Sequence, residues 1–219
     1  MALRQRARND EDKRARRRAI LDEAGALLAE HPYGRITMAQ VAAASGLAKG
    51  TLYLYFRCKE ALFLALLERE LVAWFAVLRD RLGSLSSVSA HSLGDEFATS
   101  LEQRCLLSDL LVILHTILEH NVDPKAALAF KAVLRDQLLA GGATLEDAWP
   151  ALPRGSGPGT LLRMYAMLIG LRQVASPPPV VADLLTAADM SMLRIDFGTE
   201  LARSLRDLLH AAAHFGGAA

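Results

Sequence analysis

Residues 37–59, TMAQVAAASGLAKGTLYLYFRCK, concentrate the side chains whose types and spacing can do chemistry. Lys49 and Tyr53 stand four apart, Thr51 and Tyr55 flank them, and no acid lies between Glu30 and Glu60. On a helix this spacing gathers an ammonium and phenols on one face, while Leu52 and Phe56 fall on the opposite, inward face. The ammonium neutralises phosphate, phenol hydroxyls reach phosphate oxygens, and Thr or Tyr touch a base edge or a thymine methyl. Gly50 lets the helix backbone come close to a duplex. The chemistry is recognition in a major groove rather than bond-making. Elsewhere no Ser/His/Asp or Cys/His arrangement and no paired carboxylate site stands out, so no catalytic residue, no cofactor and no enzyme are expected.

Charge points the same way. The formal net charge is +1, but residues 1–20 hold eight basic side chains (Arg4, Arg6, Arg8, Lys13, Arg14, Arg16, Arg17, Arg18) against Asp10, Glu11 and Asp12. A basic end on an otherwise slightly acidic chain suits a polyanion. The apolar runs stop at charges such as Glu68 well short of a membrane span, and no apolar stretch follows the first arginines as a secretory leader requires. Cys58 and Cys105 form no CxxC. His115 and Glu119, or His210 and His214, supply two metal ligands at most, so no metal is expected. These features give the expectation of a cytoplasmic protein without membrane contact.

The elements that must position these residues read as helices throughout. Ile20, Ala24, Leu27 and Leu28 follow one buried helical face. His31-Pro32-Tyr33-Gly34 ends that helix, Thr37 caps a short second one, and Ser45-Gly46-Leu47 forms the turn of a helix-turn-helix. A third short helix spans 48–56, and a long one spans 59–82 with its stripe at Leu62, Leu66, Leu71, Trp74, Phe75 and Leu78. Residues 83–92 read as a connection. Helical patterning returns over 95–104 and 108–122. Asp123-Pro124 starts a helix expected to end at Gly141-Gly142. Three prolines and three glycines make 143–159 a loop, and two helices follow at 160–175 and 195–214, separated by the 176–179 break. No strand is expected. The fold class is all-α, an N-terminal three-helix helix-turn-helix head plus a C-terminal helical ligand-binding and dimerisation domain. The divisions are a flexible basic arm at 1–14, the head at 15–60 and the larger domain at 61–219.

The run from 18 to 67 resembles the N-terminal domain of the TetR (tetracycline-repressor-like) family of bacterial transcriptional regulators. The pattern is carried by Ile20, Ala24, Leu28, Gly34, Thr37, Val41, Ala42, Gly46, Leu47, Lys49-Gly50-Thr51-Leu52-Tyr53, Tyr55-Phe56, Lys59, Glu60 and Leu62. The resemblance implies an Ω-shaped helical homodimer. It also implies that Thr37, Lys49, Thr51, Tyr53, Tyr55 and Lys59 match positions that contact DNA. Three positions depart from the family: Ala48 and Leu54 replace residues that are often polar, and Cys58 replaces the usual capping Ser or Asn, which predicts a slightly frayed start to the long helix.

Beyond residue 83 the resemblance is architectural. A single head contacts little DNA, so a symmetric dimer reading two half-sites of double-stranded operator is expected. Its face is expected on the last two helices, at Leu161, Leu168, Leu201, Leu205 and Leu208. An effector pocket for a small organic molecule is expected among His115, Glu119, Trp149, Arg163, Met164 and Tyr165. The functional expectation is a ligand-responsive repressor released from its operator by that effector. The alternative is a helical small-molecule-binding or enzymatic protein whose helix-turn-helix is only a packing unit.

Overall fold

The computed structural model describes residues 2–84 and 88–215, apart from the side chains of 2–9, 188 and 215. The expected connection at 83–92 therefore falls partly outside the described residues. Every regular element among them is helical, and the chain divides into two compact units, Met1–Arg69 with Ile113–Phe130, and Glu70–Val112 with Lys131–Ala219. No helix among the described residues is long and apolar enough to cross a membrane.

In the first unit, α1 spans Ala2–Glu30. The basic arm expected over 1–14 is continuous with this helix, because Ala, Leu, Arg, Gln and Lys are strong helix formers and no proline precedes Pro32. A 3-10 turn at Tyr33–Arg35 leads to α2 (Met38–Ala44) and α3 (Lys49–Tyr55). Gly46 sits at φ +65°, the left-handed conformation that closes the turn between α2 and α3. Ile20, Ala24, Val41, Leu52 and Phe56 are buried together with Leu62 and Phe63 of α4 (Lys59–Ser84), so the apolar undersides of the short helices fix the head. Every stripe residue expected on α4 is buried.

The second unit holds α5 (Ala90–Glu102) and α6 (Cys105–Ile113). The helix expected over 108–122 does not stay regular. It widens into a π segment at Leu114–Leu118, where the Glu119 N–H reaches back to the Leu114 carbonyl. Helix α7 (Pro124–Ala148) starts as expected, with the Asp123 carboxylate accepting from the Lys125 and Ala126 N–H groups at 2.9 and 3.1 Å.

The expected end of that helix at Gly141-Gly142 is corrected, as is the loop at 143–159. α7 runs on to Ala148, and α8 begins at Gly157 and extends to Ala175. The glycines serve contact rather than termination. A Cβ on Gly142 would lie 2.5 Å from the Pro158 nitrogen, and one on Gly157 2.4 Å from the Gly142 carbonyl oxygen. Glu146 binds across this contact, its carboxylate accepting the Gly157 N–H at 2.7 Å and complementing the first turn of α8. The expected loop narrows to 149–156, and its Trp149 and Leu152 are core residues. Glu146→Leu leaves the buried Gly157 N–H without an acceptor and is expected to cost about 1–3 kcal/mol. Glu146→Gln, which keeps an acceptor, is expected to lose less. Thermal denaturation of the two variants checks the order.

The 176–179 break is followed by two short elements that proline content conceals, α9 (Pro179–Leu184) and a 3-10 turn at Ala188–Leu193. Helix α10 (Phe197–Phe215) then packs on α5 and α8. Gly94 meets the Arg206 backbone directly, and the Arg206 guanidinium donates to Asp95, at 2.7 Å from Nε.

This packing corrects the expected dimer face. Leu161, Leu168, Leu201 and Leu205 are buried within the single chain, where they close α8 and α10 onto their own unit, and Leu208 is half-buried. The periodicity identified an apolar face correctly, but that face turns inward. The outward face of α8 carries Leu162, Ala166, Gly170 and Val174, one residue per turn and all exposed.

Candidate nucleic-acid interface

Helix α3 is held by two side chains, Leu52 and Phe56, both buried, and everything opposite them is presented outward. Lys49 and Gly50 are exposed, Tyr53 is 41% exposed, and Thr51 and Tyr55 are half-buried at the flanks. An added Cβ on Gly50 would meet nothing within 4 Å, so the backbone is open on that side.

The sequence reading passed over Leu54 as a site residue, yet it is 81% exposed on the same helix. With Tyr55 it lines a concave surface whose other wall is α1, at Asp10, Lys13, Arg14 and Arg17. The Arg17 guanidinium lies 5.1 Å above the Phe56 ring, which anchors part of the basic helix to the recognition helix. The available signal was the i, i+4 spacing of Lys13 and Arg17, which places two cations on one face of a continuous helix. Reading 1–14 as an arm hid it.

Two expected contact residues are engaged inside the head. The Thr37 hydroxyl donates to Gln40 Oε1 at 2.8 Å and accepts the Gln40 N–H at 3.3 Å, completing a capping box for α2. Lys59 Nζ donates to the carbonyls of Tyr33 and Ile36 at 3.0 and 2.9 Å and lies 4.0 Å from the Tyr33 ring centroid. Burial pushes the Lys59 pKa down, and neighbouring Glu60 opposes the shift. The Tyr33 phenol donates to Glu60 Oε1 at 3.1 Å, and burial followed by the Glu60 charge holds it far above the usual phenol range. Together these groups tie the 3-10 turn to the start of α4.

That start is capped rather than frayed. The Cys58 thiol accepts the Ala61 N–H at 3.4 Å and donates to the Asn121 carbonyl at 3.7 Å, so sulfur takes the capping role. Ala48 gives α3 no side-chain cap.

The six expected effector residues are not brought together within one unit. His115 and Glu119 belong to the first unit, where His115 Nδ1 lies at hydrogen-bond distance, 3.0 Å, from Glu119 Oε2. Trp149 and Met164 are buried in the second, Tyr165 is half-buried, and Arg163 faces outward on α8. Arg163 follows the exposed Leu162 and is thereby removed from any inward pocket. Among the described residues no three His, Cys, Asp or Glu side chains gather as a metal site needs.

Known proteins share this arrangement. A family model described as bacterial regulatory proteins, tetR family, matches residues 20–66. Another, described as tetracyclin repressor-like, C-terminal domain, matches residues 68–212. An HTH-type transcriptional repressor of Mycobacterium tuberculosis is 37% identical over 92 residues, 40% of this chain and 49% of the relative. The chain thus spans about half the length of that curated relative. A putative TetR-family transcriptional regulator from Mesorhizobium loti has a TM-score of 0.60 at 17% identity, covering 90% of this chain and 95% of the other. A transcriptional regulator FadR from Bacillus subtilis, solved in complex with stearoyl-CoA, has a TM-score of 0.52 at 18% identity, covering 90% and 98%. These two likenesses carry the fold, a helix-turn-helix head followed by a helical domain. With residues 20–66 and 68–212 matched in sequence order, the chain belongs to the tetR family of bacterial regulatory proteins.

Proposed function

We propose that the chain is a DNA-binding transcriptional repressor that acts in the cytoplasm as a homodimer and leaves its operator when a small organic effector binds. The observation that carries this reading is the outward face of α3, where Lys49, Gly50 and Tyr53 stand exposed above a buried Leu52, with no acid from 31 to 59. Lys49, Lys13, Arg14 and Arg17 neutralise phosphates; Tyr53, Thr51 and Tyr55 read phosphate oxygens and base edges; Leu54 meets thymine methyls. Thr37 and Lys59 act as positioning residues, the first by capping α2 and the second by bracing the turn before it.

Two heads serve a palindromic operator whose half-sites lie about 34–36 Å apart or a multiple of that. The pairing surface is the outward stripe of α8, where Ala166 and Gly170 admit close helix approach between Leu162 and Val174. The effector enters the helical domain around the core side chains Trp149 and Met164. A neighbour of the same fold holds stearoyl-CoA, which supports a ligand-binding role for such a domain. Binding there shifts α4, which starts beside the recognition helix, and alters the separation of the heads.

A salt titration tests the reading. Affinity for random duplex is expected to fall steeply with salt, with a log–log slope of roughly −0.9 per phosphate neutralised. A flat dependence or no binding returns the head to a mere packing unit.

A further inference from the structure

Among the described residues, fourteen large apolar side chains are exposed, and seven of them lie within residues 174–193. They include Val180 at 70%, Leu184 at 67% and Met192 at 85% exposed. A soluble monomer seldom shows an apolar patch larger than a few hundred Å². Helix α9 sharpens the point, because none of its six residues is buried. A helix this short has no stability of its own and depends on tertiary packing. Its Ala182 faces a shallow groove with Val174, Pro177, Leu193 and Ile195, while Val180 and Leu184, four apart, point away from it.

The charge of the segment selects the partner. Asp183 and Asp189 are the only charged residues from 174 to 193, and Arg194, which follows and lines the groove, is a single cation against them, so neither DNA nor an anionic membrane surface is attracted to it. A second copy of the chain meets both requirements. A stable homodimer buries about 800 Å² on each partner, with an apolar centre. Exposed large apolar groups are few on α8 and α10, namely Leu162 and Val174, while Met167, Ile169, Leu171 and Leu208 are half-buried and α10 presents Arg203, Asp207 and His210. Val174 ends the α8 stripe and begins the 174–193 segment, so the two surfaces are continuous.

We propose that residues 174–193 form a strap that packs on a second copy of the chain and supplies the apolar bulk of the homodimer interface. The proposal rests on the dimer reading above and extends it to a segment outside the two long helices.

Sedimentation of the full chain over a range of concentrations, combined with peroxide oxidation read by mass spectrometry, tests it. The wild type is expected to be a dimer in which Met192 oxidises roughly tenfold more slowly than after dilution to monomer. The double variant Val180→Asp, Leu184→Asp changes two exposed positions and is expected to raise the dimer dissociation constant about 100-fold while the helical melt is retained. A dimer that survives the double variant, with Met192 oxidised equally fast in both states, overturns the strap and leaves the dimer reading intact. The same holds for an intact dimer whose strap binds an apolar dye. A wild type that is monomeric at every concentration overturns both.

Discussion

Lys49→Ala is expected to weaken binding to every duplex about tenfold and to reduce the magnitude of the salt slope by about one unit, with the thermal midpoint unchanged. Lys59→Met is expected to do the reverse, leaving the slope near the wild-type value and lowering stability by about 2–3 kcal/mol. The two lysines flank the same helix, but their ammonium groups face different partners. Lys49 is exposed at the first turn of α3, and phosphate is the partner proposed for it. Lys59 already donates to two backbone carbonyls and covers the Tyr33 ring. Its removal takes the ammonium from both carbonyls and leaves the Tyr33 carbonyl with the Ile36 N–H alone. Titration of labelled duplex at several salt concentrations and thermal denaturation of both variants separate the roles. If Lys59→Met flattens the salt slope as much as Lys49→Ala, the bracing role assigned to Lys59 is wrong.

Gly157→Ala carries the second large effect. The added carbon would fall 2.4 Å from the Gly142 carbonyl oxygen and 2.7 Å from Glu146 Oε1. The Glu146 carboxylate can swing aside, which gives up its hydrogen bond to Gly157, but the Gly142 carbonyl cannot retreat without moving the α7 backbone, so α7 and α8 must separate. Overpacking of this kind costs about 1–3 kcal/mol, and the lost bond adds about 1 kcal/mol. For a chain of this size each kcal/mol lowers Tm by roughly 2–4 °C, so a fall on the order of 10 °C is expected in calorimetry. Gly159→Ala is the matching control, since an added Cβ there meets nothing within 4 Å. Equal melting of the two variants would sink the contact argument.

These glycines also show why part of the fold was legible in the sequence and part was not. The head was readable because its signals are local. Thr37 and Gln40 form a capping box, Gly46 supplies the turn, and Leu52 and Phe56 repeat at helical spacing, all within twenty residues. Gly141-Gly142 sends the same local message as a terminator, and only a partner helix fifteen residues later reveals that it is a contact surface. The four leucines expected at the dimer face turn inward for a related reason. Periodicity at Leu161, Leu168, Leu201 and Leu205 marks a buried stripe but does not say what buries it. The acid-free, exposed face of α3 was legible because an absence of acid is visible in sequence, whereas the inward commitment of Lys59 depends on carbonyls 23 and 26 residues away.

The Arg206–Asp95 pair joins residues 111 apart in the chain, and with it α10 closes over α5. At translation rates of about 5–20 residues per second, the nascent α5 waits between roughly 5 and 20 seconds for its mate to leave the ribosome. Through that interval Trp74 of α4 already packs against Phe97 and donates to Ser100, but the side of α5 at Gly94 and Asp95 that meets Arg206 stays open. Closure of this half of the molecule therefore cannot precede synthesis of α10, however fast the earlier helices collapse.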